Sequence, residues 1–231
     1  MSEHLITAYG EQLAHLGAEI ARLGGLVEAQ IVSSVDSMTR RDVTQAAAVI
    51  AQDERIDVLQ AEIEYLTLKL IALRQPVAAD LRKALSANKI SMQLERCGDL
   101  AKNIAKRGLV LAKGEPVTPF NRSIDRMAKR VVDRLKTVLD AYAARDVERA
   151  GQVWSRDEEV DEHYNAIFRE LLTYMMGDPR TITPCTHLLF VAKNLERIGD
   201  HATNIAEIVH YEFTGDVLVG VRPTFDILQQ D

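Results

Sequence analysis

Residues 94–106 read LERCGDLAKNIAK, and residues 195–207 read LERIGDHATNIAE. Nine of the thirteen positions are identical, with both acids retained. The agreement extends beyond these phrases. Arg41-Asp42-Val43 recurs as Arg145-Asp146-Val147, and Asp53-Glu54-Arg55-Ile56-Asp57 recurs as Asp157-Glu158-Glu159-Val160-Asp161. Pro76 recurs as Pro179. The displacement between copies is nearly constant and drifts only near the prolines, where loops absorb deletions. A series of matches at one displacement marks a tandem duplication.

What is duplicated is helical. Ile56, Leu59, Ile63, Leu66, Leu70 and Leu73 alternate steps of three and four, a stripe down one helix face. Ile90, Leu94, Cys97, Ala101 and Ile104 make such a stripe through the first phrase. Val191, Leu195, Ile198, Ala202 and Ile205 make it through the second. Breaks fall between the stripes. Arg40-Arg41-Asp42 follows the first helix, with Asp42 placed to cap the next. Gln75-Pro76 ends the second, because proline disfavours helix in the residue before it. Lys113-Gly114-Glu115-Pro116 separates the halves. Ala144-Arg145-Asp146 and Gly177-Asp178-Pro179 punctuate the second half. The pattern predicts an all-α chain, a tandem duplication of a three-helix unit with six long helices. The units are expected at residues 1–113 and 117–214. Residues 215–231 lose the period and are expected to form a tail with an extended piece.

Composition agrees with packed helices. Aromatics are 5% of the 231 residues against 47% hydrophobic overall, so the core is aliphatic, which suits helices better than a sheet sandwich. A net charge of -6 repels phosphate backbones, and nucleic acid is not an expected partner. No apolar run approaches the ~18 residues of a membrane span. The Met1 region lacks a charged-then-apolar leader, so no signal peptide is expected. Cys97 and Cys185 make no disulfide framework and read as core thiols in a reducing cytoplasm.

Residues four apart share a helix face, so Glu95, Asp99 and Asn103 form one polar row, copied as Glu196, Asp200 and Asn204. Asp53 and Asp57 form an acidic pair on the preceding helix, copied as Asp157 and Asp161. Like charges at this spacing destabilise a helix by ~0.2–0.5 kcal/mol per pair. Their retention in both copies points to a cation between them, provided adjacent helices bring each aspartate pair to the neighbouring row. Carboxylates and an Asn carbonyl are hard oxygen donors, suited to Mg²⁺, Mn²⁺, Ca²⁺ or iron. The plainer alternative is a solvated acidic face. Arg96 and Arg197 can soften the repulsion, although they do not share the face of the row. Gly98 and Gly199 sit mid-helix, where glycine costs about 1 kcal/mol relative to alanine; close approach of a neighbouring helix is their expected use.

Catalytic machinery is thin. A di-iron bundle carries Glu-x-x-His on two helices, and only Glu207–His210 fits, with Lys106 and Leu109 at the corresponding positions of the first copy. His201 stands where the other copy has Leu100 and is expected at the surface. There is no nucleophile elbow, phosphate-binding glycine loop or thiol-zinc spacing. The chain is expected not to be an enzyme. The rival reading from that class is a metal-dependent hydrolase or oxidase built on the acid clusters.

The two phrases, together with ALRQPVAADLR (72–82) and MMGDPRTITPCTHLLFVAKNLERIGDHATNIAE (175–207), closely resemble the PhoU family of bacterial phosphate-signalling regulators, from about Tyr9 to Tyr211. The resemblance implies two three-helix bundles side by side whose acid rows hold clusters of iron, zinc, manganese or magnesium. Carried onto this sequence, the ligands would be Asp53, Asp57, Glu95 and Asp99 in one half and Asp157, Asp161, Glu196 and Asp200 in the other, with Asn103 and Asn204 as further candidates. Cys97 stands where the second motif has Ile198, on the apolar stripe and off the acid row. The resemblance also implies a cytoplasmic, often dimeric adaptor, peripheral to the membrane through its partners. It would link the ATPase subunit of a phosphate ABC transporter to a sensor histidine kinase. It would keep phosphate-starvation genes off when phosphate is plentiful, and it would restrain uptake.

Overall fold

A computed structural model describes residues 2–218. Of the tail expected at residues 215–231, residues 219–231 lie outside the described residues.

Six rods make up the described chain. Helices α1 (Ser2–Thr39), α2 (Val43–Arg74) and α3 (Ala79–Leu111) form the first unit. The second unit has α4 (Asn121–Ala144), a rod made of α5 (Val147–Ser155) and α6 (Glu158–Gly177), and α7 (Ile182–Thr214). No strand occurs among the described residues. The fifth rod departs from its counterpart: α2 is continuous, whereas α5 and α6 are parted by a turn at Arg156-Asp157.

The corners repeat as the sequence does. Asp42 accepts the Gln45 amide at 2.9 Å, and Asp146 accepts the Arg149 amide at 2.9 Å. Each aspartate satisfies a first-turn donor that has no partner within its helix. The residues before them, Arg41 and Arg145, are both left-handed, at φ 58° and 57°. That conformation turns the chain sharply enough for α2 to run back along α1, and α5 along α4. The Arg41 guanidinium also donates to the carbonyls of Ala112 and Gly114, tying the first corner to the end of α3.

Within each unit the outer rod packs on the other two: α2 on α1 and α3, α5 and α6 on α4 and α7. Between units, α3 packs on α7 and α1 on α4. The α3–α7 pair is antiparallel. Gln93, near the middle of α3, meets His201 and Asn204, past the middle of α7. Arg107, late in α3, lies 4.3 Å from the Phe190 ring centre and 3.2 Å from His187 Nδ1, early in α7. The stripes read from sequence are buried along this seam. Leu94 and Ile104 share one core with Leu195 and Ile205, and with Ile20 of α1 and Met127 of α4. The result is two three-helix bundles fused side by side, with α2 on one flank and α5–α6 on the other. Cys97 and Cys185 are buried free thiols. Among the described residues, no helix is long and apolar enough to cross a membrane.

Candidate metal centre

Two glycines let the outer rods close on the central pair. A Cβ on Gly98 would lie 3.0 Å from Ile56 Cδ1, and one on Gly199 would lie 3.2 Å from Val160 Cγ1. α2 therefore rests directly on α3 and α6 on α7, which brings Asp53 and Asp57 to the row on α3 and Asp161 to the row on α7.

In the second unit, Asp161 of α6 and Glu196 and Asp200 of α7 each offer a carboxylate oxygen, and all three atoms lie within 4.8 Å of one another. Glu196 is mostly covered. Its Oε1 accepts from the half-exposed Lys193 ammonium at 2.7 Å. Its Oε2 is buried with no hydrogen-bond partner among the described residues. A covered carboxylate oxygen without a donor is costly, by 1–3 kcal/mol or more. Three converging carboxylates, one with an orphaned oxygen, fit a hard cation such as Mg²⁺, Mn²⁺ or Ca²⁺.

Asp157 is turned elsewhere. It is 3% exposed, and its Oδ1 accepts from Arg134 Nη2 at 2.8 Å and from the Thr203 hydroxyl at 2.7 Å. The same guanidinium donates to the carbonyls of Val153 and Arg156. These carbonyls close the end of α5, where intrahelical partners run out. Arg134 thus supplies the donors that let the fifth rod break at Arg156-Asp157. Asn204 faces the α3–α7 seam, where its amide donates to Gln93 Oε1 at 3.2 Å. His201 Nδ1 meets the same oxygen at 2.8 Å, so this histidine bridges the two units instead of standing at the surface.

In the first unit, Asp53 is also 3% exposed. Its Oδ1 accepts from Gln30 Nε2 at 2.9 Å and its Oδ2 accepts from the Lys102 ammonium. Lys102 donates as well to Asp99 Oδ1, at 2.8 Å. An ammonium group therefore bridges α2 and α3 between the aspartate pair and the row. Asp57 and Glu95 complete the cluster. Burial pushes the carboxyl of Asp57 up, and the charge of Asp53 adds to this, while Lys102 opposes. Burial also pushes Glu95 up; Arg96 opposes, and Asp99, Asp57 and Asp53 reinforce. The four acids share one electrostatic environment. Among the described residues, however, no three of them bring oxygens together as Asp161, Glu196 and Asp200 do. Arg96 does reach the acids despite lying off their row: its long stem curls back to Glu95 at 3.4 Å and Asp99 at 3.9 Å. Asn103 lines a shallow pocket on the seam with Asn194 and Phe190.

The family model described as PhoU domain matches this chain twice, at residues 20–108 and 124–209. The chain belongs to the PhoU family. A PhoU relative from Caulobacter vibrioides (strain NA1000 / CB15N), the phosphate-specific transport system accessory protein PhoU homolog, is 64% identical over 230 residues, covering 100% of both chains. The crystal structure of PhoU from Pseudomonas aeruginosa matches with a TM-score of 0.87 at 34% identity, over 90% of this chain and 100% of that one. The phosphate transport system regulatory protein PhoU from Streptococcus pneumoniae matches with a TM-score of 0.84 at 28% identity, over 91% and 99%.

Four residues at the core of these PhoU repeats went unnoticed in the sequence: Gln30, Lys102, Arg134 and Thr203. A signal was present. At the displacement that superposes Asp53 on Asp157, Gln30 falls on Arg134; at the displacement that superposes Glu95 on Glu196, Lys102 falls on Thr203. A positive charge disappears from one position of the PhoU unit and reappears at another.

Proposed function

We propose that this chain is a metal-binding negative regulator of the phosphate-starvation response and of phosphate uptake. It acts as an adaptor between the ATPase subunit of a phosphate ABC transporter and a sensor histidine kinase. The observation that carries this reading is the full-length, 64% identity to a protein named as a phosphate-specific transport system accessory protein. The convergence of Asp161, Glu196 and Asp200 supports the metal-binding part.

The adaptor works by docking, without catalysis. Asp161, Glu196 and Asp200 would hold a cation, which would supply positive charge between the outer and central rods. The protein's own part is to present those oxygens from two helices, so that α6 is fixed at one angle to α7. The break at Arg156-Asp157 frees α6 from the direction of α5, so its angle is set by its own contacts with α7. That angle shapes the surface a partner meets. The protein resides in the cytoplasm, reaches the membrane only through its partners, and pairs as a homodimer.

Deletion of the gene tests the regulatory role. Starvation genes should be expressed in phosphate-rich medium, and expression should fall again when the wild-type chain is restored. Starvation genes that stay silent in the deletion strain would overturn it. Affinity purification from phosphate-replete cells should recover the transporter ATPase and the kinase together.

A further inference from the structure

We propose that the cleft between the two units binds an amphiphilic anion, a carboxylate or phosphate monoester on an apolar chain, with Lys83 and Arg145 receiving its head. The site is separate from the acid clusters, and the proposal does not depend on their holding metal.

The cleft encloses about 470 Å³ and is walled by α1 and α3 of the first unit and by α4 and α7 of the second. Its wall on α1 runs from Leu13 to Glu28, ~22 Å at the helical rise, so the cleft is long. α1 and α4 close on one another at Gly24, where an added Cβ would lie 2.5 Å from Leu139 Cδ1. Gly17 and Gly25 behave differently. Both line the cleft, and a Cβ on either would meet nothing within 4 Å. Two absent side chains thus keep the cleft open. Ile20, Ala21, Leu139 and Ala143 give it an apolar wall. A cleft of this size, apolar with a few polar groups, suits a small molecule.

The charges that line it fall into two groups. Glu28 feels Lys136 and Asp140, so acids and a base offset one another there. Asp140 is also paired with Arg149, at 3.3 Å. Glu212 feels Lys83 and Arg145, two cations against one carboxyl. Glu212 is 4% exposed, and neither of its oxygens has a hydrogen-bond partner among the described residues. Burial favours its neutral form, which leaves this group positive. Among the described residues, neither the Lys83 ammonium nor the Arg145 guanidinium makes an ion pair or hydrogen bond. Both cations are uncommitted donors beside an apolar wall. An anionic head set against them gains charge-assisted hydrogen bonds while its chain covers that wall. The occupant would touch both units at once and fix one against the other.

The test is calorimetry on the full chain with decanoate, decyl phosphate and decyltrimethylammonium, each below its micelle-forming concentration. Decanoate or decyl phosphate should bind at one equivalent, and the tighter of the two identifies the head. Decyltrimethylammonium, with the same chain and the opposite charge, should not bind. Lys83→Gln and Arg145→Asn should each weaken binding roughly tenfold; Asn suits the left-handed backbone at residue 145. Gly17→Leu with Gly25→Leu should abolish binding by filling the cleft. This variant has room to fold, because neither added Cβ meets a neighbour, and it should melt no lower than the wild type. A wild type that binds neither anion overturns the proposal. So does decyltrimethylammonium binding as tightly as decanoate, which would mark a merely apolar cleft. A folded double-leucine variant that binds decanoate as the wild type does would place the ligand elsewhere and overturn it equally.

Discussion

Gln30 and Arg134 hold the same place in the two repeats, and each bonds the buried aspartate of its own unit. Gln30 Nε2 meets Asp53 Oδ1 at 2.9 Å, and Arg134 Nη2 meets Asp157 Oδ1 at 2.8 Å. One contact is neutral and the other is an ion pair, because the first unit takes its counter-charge from Lys102. The chain thus keeps one internal cation per buried aspartate while changing the helix that provides it. Removing one partner of a buried pair strands the other in a poorly solvated place, which sets the scale of the first prediction.

Asp157→Ala should lower stability by about 3–5 kcal/mol, since it leaves the Arg134 guanidinium with one fewer acceptor in the interior. Denaturant unfolding of the two proteins measures this. Asp157→Ala combined with Arg134→Leu should recover part of the loss, because the double variant buries no unmatched charge there. A double variant less stable than the sum of the singles would contradict the pairing.

Glu212 makes stability depend on pH. It is 4% exposed, and both carboxylate oxygens are buried without a hydrogen-bond partner among the described residues. Burial pushes its pKa from 4.5 up to about 7, against the opposing charges of Lys83 and Arg145. The folded chain therefore holds this proton more tightly than the unfolded chain. Glu212 is neutral and tolerated below about 4.5. It costs stability progressively as pH rises toward about 7, and the loss levels off above that. Glu212→Gln should remove this slope and be more stable than the wild type at pH 8, by an amount on the order of 3 kcal/mol. Parallel unfolding curves of the two proteins across that range would contradict it.

The glycines of the two phrases should tolerate alanine and reject larger side chains. At Gly199 an added Cβ meets the tip of Val160 at 3.2 Å, a tight contact that a small shift relieves. The helix-propensity gain of about 1 kcal/mol offsets it. Gly199→Val has no such room and should cost about 1–3 kcal/mol by pushing α6 off α7. It should also weaken Mn²⁺ binding, since Asp161 rides on α6. Thermal melts with and without Mn²⁺ separate the two effects.

The rods were legible in the sequence because their signals are local. The i, i+3, i+4 stripes of α2, α3 and α7 depend on helix geometry alone, and the caps at Asp42 and Asp146 depend on neighbours three residues away. The acid rows were legible for the same reason. Depth was not. Asp53 and Asp57 share a face of one helix, yet Asp53 is buried and Asp57 is exposed, because α2 lies across two neighbours whose position no period records. The break at Arg156-Asp157 carries no glycine or proline; the donors that satisfy its carbonyls come from Arg134, on a different helix. His201 looked like a surface residue because its partner, Gln93, belongs to the other repeat. Lys102 carries no local signal, because its partner Asp53 lies on a different helix.

Corner residues give a smaller check on the duplication. Asp146→Ala and Asp42→Ala each remove one cap bond at 2.9 Å and should each cost about 1 kcal/mol. Unequal losses measured by denaturant midpoint would mean that the two corners, alike in geometry, carry different loads.

The most direct test of the account is anomalous diffraction from crystals grown with Mn²⁺. The account predicts a strong peak between α6 and α7, within coordination distance of Asp161, Glu196 and Asp200. Density empty of Mn²⁺ at those three carboxylates, in crystals soaked well above millimolar concentration, would contradict it.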